Sequence, residues 1–86
     1  MGSLTLGNIA VEAQRARRSH SKGYGDRVIC LIDDYIAEGK LSYGGIKELL
    51  RIRDIICGFF YFGDDLNIDS AINTLMGFAF RERSER

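Results

Sequence analysis

A chain of 86 residues with 12 basic and 12 acidic side chains, one histidine, two cysteines and neither tryptophan nor proline has room for one domain, and a domain this small buries only about 60–65% of the surface its unfolded chain exposes. Hydrophobic residues make up 45% and charged residues 28%, a balance that excludes disordered and fibrous classes. The longest apolar run, Ile55 to Phe62, has eight residues where a bilayer-spanning helix needs roughly 18 or more, so no membrane span is expected.

The first predicted helix runs from Thr5 or Asn8 to Ser19. Leu6, Ile9, Ala10, Ala13 and Ala16 recur at three- and four-residue steps, giving a thin, alanine-rich apolar stripe with Asn8 as its expected N-cap. His20 to Gly25 reads as a loop, because Gly23 and Gly25 interrupt helical propagation. The second helix is expected to start on Asp26 as N-cap and to stop at Gly39, with Val28, Ile29, Ile32, Tyr35 and Ile36 as its stripe.

A third and longest helix is expected from Ser42 to Phe62. Ile46, Leu49, Leu50, Ile56 and Phe60 mark one stripe, and Ile52, Ile55, Phe59 and Phe62 a second beside it. Past Arg53 this helix is apolar nearly all round, which requires cover on more than one side. Gly63-Asp64-Asp65 makes the next break, and a fourth helix follows from Asn67 or Asp69 to Arg83 with Ile68, Ile72, Leu75, Met76 and Ala79 on one face. The pattern predicts one all-α domain over residues 1–86, a bundle of three to four helices with a long central third one. Residues 1–4 and 82–86 are expected to fray. The α+β alternative turns Val28–Ile32 and Phe59–Phe62 into strands.

Few residues are arranged for chemistry. Asp65, Asn67 and Asp69 match positions 1, 3 and 5 of a calcium-binding loop, but Ser70 stands where a glycine is needed and Met76 where a bidentate glutamate should close the shell. Caps explain this cluster better than a metal, and no cofactor is expected. Cys30 and Cys57 sit in apolar runs and form no metal half-site, which points to a reducing, cytoplasmic setting. His20 has no partner at an orienting spacing, Asp33 and Asp34 diverge by about 100° on a helix, and Gly23-Tyr24-Gly25 lacks the third glycine of a phosphate loop. Catalysis is not expected.

What stands out instead is apolar surplus. Phe59, Phe60 and Phe62, with Phe78 and Phe80 in the last helix, exceed what one small core readily covers and form the expected interface to a partner protein or a second copy. Charge is also unevenly placed: up to Arg27 there are five basic residues against two acidic, and beyond it seven against ten. Asp33, Asp34, Glu38, Asp64 and Asp65 form the acidic surface expected to face a basic partner. The sequence therefore predicts a small non-catalytic regulator, an inhibitor, adaptor, anti-defence or antitoxin-like factor or a chaperone, acting as a homodimer. The alternative is nucleic-acid binding through Arg15, Arg17, Arg18, Lys22 and Arg27, whose guanidinium and ammonium groups suit phosphates. A helix-turn-helix over the second and third elements fits less well than a plain antiparallel hairpin, because Ser42-Tyr43-Gly44-Gly45 offers little to read base edges.

Overall fold

A computed structural model describes residues 5–84; residues 1–4, expected to fray, and 85–86 lie outside the described residues. Among the described residues there are four helices and no strand: α1 (Leu6–Ser19), α2 (Lys22–Ala37), α3 (Tyr43–Phe62) and α4 (Ile68–Ser84). The chain is an all-α bundle. The α+β alternative fails because Val28–Ile32 lies within α2 and 59–62 within α3.

Local chemistry sets the helix ends, in two places differently from the sequence expectation. Thr5, not Asn8, caps α1: its hydroxyl accepts the Asn8 N–H at 3.2 Å, so Leu6 already sits in the first turn. The stretch 20–25 is not a loop. Only His20 and Ser21 separate α1 from α2, and Asp26 lies a full turn inside α2 rather than at its cap. The residue that turns the chain is His20, in the left-handed region at φ 55°, while Gly23 and Gly25 are both helical. Elsewhere the signals act as expected: Ser42 caps α3 by accepting the Gly45 N–H at 3.2 Å, and Gly39 and Gly63 take φ of 74° and 71°, where glycine alone is unstrained.

Each helix packs antiparallel on the next, and α4 closes back on α1, so the four form a ring. The registers are fixed by cross-helix pairs: Arg17 with Asp69 at 3.2 Å and Gln14 with Met76 join α1 to α4, and Arg53 with Asp33 at 2.8 Å joins α3 to α2. The second and third elements are thus an antiparallel hairpin. Ile9, Val28, Ile32, Leu49, Ile52, Ile56, Ile68 and Leu75 are completely enclosed at the centre. Ala10, Ala13 and Ala16 are buried on α1, and their small side chains let its neighbours approach closely. The radius of gyration, 12.1 Å, matches the about 12 Å of a chain of this length folded to ordinary density. No described helix is long and apolar enough to cross a membrane.

Candidate functional site

The antiparallel ring has two ends of different character. At one end the short link 20–21 lies beside the 63–67 turn. At the other, the start of α1, the 38–42 turn and the end of α4 meet.

The end of α3 and the 63–67 turn carry the most exposed apolar side chains of the described residues. The N–H groups of Gly63 and Asp64 both close on the Gly58 carbonyl, and the Asp64 carboxylate accepts the Leu66 N–H at 3.1 Å. The chain therefore reverses within a hydrogen-bonded turn that holds Phe62 and Leu66 outward, 85% and 82% exposed. Asp64 and Asp65 are exposed between them. Two exposed apolar side chains and two exposed carboxylates thus lie within five consecutive residues.

The five phenylalanines expected to form one interface are divided by the fold. Phe59 and Phe60 belong to the core and meet edge to face with ring centres 4.8 Å apart. Phe78 is half-buried against the core with the Arg81 guanidinium 4.8 Å above its ring. Phe62 and Phe80 are exposed but lie toward opposite ends of the ring, so the five make no common surface. The surplus was real, but helix direction and position divided it.

The acidic residues are divided in the same way. Asp64 and Asp65 sit in the 63–67 turn, while Glu38, beside Lys40 at 2.9 Å, lies at the opposite end. Asp33 and Asp34 lie between, on the exposed side of α2, with Asp33 neutralised by a two-pronged contact with Arg53. That contact holds the Arg53 guanidinium above its ordinary range, the hydrogen bond to Asp33 being the main cause. Most of the basic residues are engaged by neighbouring side chains. Arg15 and Arg27 share Glu12. Arg17 pairs with Asp69 and covers the Phe59 ring at 5.1 Å. Lys22 lies over Tyr61, and Arg18 faces solvent. His20 stacks on Phe59 at 5.5 Å. Cys30 is exposed and Cys57 half-buried, both as free thiols.

The opposite end holds a feature the sequence reading missed. Glu82, placed by that reading in the fraying tail, lies within α4 and joins three helices. One carboxylate oxygen accepts the Leu6 N–H at 3.1 Å, and the other accepts the Tyr35 hydroxyl at 2.5 Å. The first turn of α1 contains no acidic residue of its own, so Glu82 supplies the anion that the helix N-terminus favours. Burial, then the hydrogen bond and the charge of Glu82, push the Tyr35 phenol above its ordinary range. A cleft of about 550 Å³ opens above this junction between Lys40, Ser42, Gly44, Phe78 and Arg81. Leu6, Leu41 and Phe78 line it beside the cationic side chains of Lys40 and Arg81.

No family model, curated protein or solved structure matches this chain.

Proposed function

We propose that this chain is a small non-catalytic regulator that works by docking a helical surface onto another protein, as an inhibitor, adaptor, anti-defence or antitoxin-like factor or a chaperone would. The observation that supports this reading is the 63–67 turn, where Phe62 and Leu66 stand exposed on a backbone ordered by Gly63 and Asp64. A large apolar side chain left in water forgoes about 1.5–3 kcal/mol available from burial. An ordered turn also loses little conformational freedom on binding. The complementary partner surface is an apolar socket with a basic rim that answers Asp64 and Asp65.

The test is affinity capture from an extract of the source cells with immobilised wild-type protein and two variants. Phe62→Ser combined with Leu66→Ser is expected to keep the stability within about 0.5 kcal/mol, since both sites are exposed, and to lose a stoichiometric protein partner. Arg15→Glu combined with Arg18→Glu is expected to retain it. Equal retention by all three proteins sinks the docking reading. Loss only in the arginine variant, with binding that falls steeply in salt, assigns the function to nucleic acid instead.

A further inference from the structure

The outer face of α3 carries a second exposed surface, distinct from the docking turn and overlain from α2 where Lys22 lies over the Tyr61 ring. Tyr43, Lys47, Leu50, Asp54, Cys57 and Tyr61 follow one another at alternating steps of four and three residues along α3. That is the spacing of the seam by which one helix packs along another. In this chain the seam faces outward: Tyr43 is 76% and Leu50 44% exposed, Tyr61, Lys47 and Asp54 are exposed, and Cys57 is half-buried. The core of the bundle uses the opposite side of the helix, through Leu49, Ile52, Ile56, Phe59 and Phe60.

The charges on the seam select the occupant. Lys47 and Asp54 lie two turns apart on it and make no ion pair with each other or with another described residue; the Lys47 ammonium sits 5.5 Å from the Tyr43 ring instead. A second copy packed parallel sets Lys47 on Lys47 and Asp54 on Asp54, which is repulsive. A second copy packed antiparallel about a two-fold axis near Leu50 brings Lys47 of each copy beside Asp54 of the other, with the two Leu50 side chains near the axis. Each surface patch then meets its own copy, as closed two-fold symmetry requires. Arg53, on the α2 side of the seam, is already neutralised by Asp33 and adds no unpaired charge. We infer that α3 is a dimerisation helix whose Tyr43–Tyr61 seam packs antiparallel against the same seam of a second copy, held in register by two reciprocal Lys47–Asp54 pairs.

Mass from sedimentation equilibrium of the full chain tests this. The wild type is expected to be a dimer at tens of micromolar. Lys47→Glu alone and Asp54→Lys alone each place like charges across the seam and are expected to weaken dimerisation about tenfold or more. The two combined restore opposite charges and are expected to restore the dimer. Lys47 and Asp54 are both exposed, so helical content and melting serve only to confirm folding. A monomeric wild type overturns the inference, as does a dimer indifferent to either single reversal or a double variant that stays monomeric. Partner capture through Phe62 and Leu66 is read separately, so the dimer and the docking turn can fail independently.

Discussion

Glu82→Ala is expected to lower the unfolding free energy by about 1–3 kcal/mol, because it leaves two part-buried donors without their protein acceptor. The donors are the Leu6 N–H, which as a first-turn amide has no partner inside its own helix, and the Tyr35 hydroxyl. The substitution also removes the carboxylate that meets the start of α1. Glu82→Gln keeps an acceptor oxygen but loses the charge, so its loss is expected to be the smaller of the two. Urea unfolding at neutral pH measures both. A Glu82→Ala protein as stable as the wild type shows that this junction contributes nothing to the fold.

The same junction gives an alkaline limit. An ordinary tyrosine ionises near pH 10, and burial followed by the Glu82 carboxylate raises this value in the folded protein. A group whose folded value lies above its unfolded value gives stability that is fully present below the unfolded value and lost as pH rises toward the folded one. The wild type is therefore expected to lose its advantage over Tyr35→Phe progressively above about pH 10. The stability difference between the two proteins as a function of pH isolates Tyr35, since Tyr24, Tyr43 and Tyr61 are exposed. A constant difference across the alkaline range contradicts the assignment.

Most of the architecture could be read from hydrophobic spacing, because each helix has its own periodic stripe and Ser42, Gly39 and Gly63 act as local punctuation whatever lies around them. The failures share a cause. Gly25 lies three residues before Val28, and Val28, Ile32 and Tyr35 continue the same buried face; the stripe reaches back to it, but glycine's poor helix propensity set the boundary too late. Glu82 lies three residues beyond Ala79 and seven beyond Leu75, both buried, so the stripe of α4 also reaches it; the alternating charges of Arg81 to Arg86 concealed that continuation. In both cases tertiary contact overrode composition. The division of the phenylalanines had no such signal. Phe59, Phe60 and Phe62 differ only in angle around α3, and which angles are covered depends on where α2 and α4 lie. Leu66 carries no sequence signal for a simpler reason: it stands alone, outside any periodic stripe, and its exposure follows from the turn.

Gly25 and Phe60 are expected to behave as one unit. A Cβ built on Gly25 meets three ring carbons of Phe60, two at 2.7 Å and one at 3.1 Å, so the ring packs directly on the glycine and a methyl group there must displace it. Gly25→Ala gains about 1 kcal/mol of helix propensity against about 1–3 kcal/mol for overpacking a filled core, and the expected result is a net loss. Phe60→Ala is expected to cost about 3–5 kcal/mol, the usual range for removing a buried phenylalanine. In that background the obstacle to a methyl group at position 25 is gone, and only the propensity gain remains. Gly25→Ala is then expected to stabilise, so the same substitution changes sign with the residue opposite it. Urea unfolding of the wild type, both single variants and the double variant gives the coupling directly. An equal loss from Gly25→Ala in both backgrounds would show that the glycine serves something other than the Phe60 ring. A sign reversal fixes the α2–α3 packing as the reason that a glycine stands inside α2.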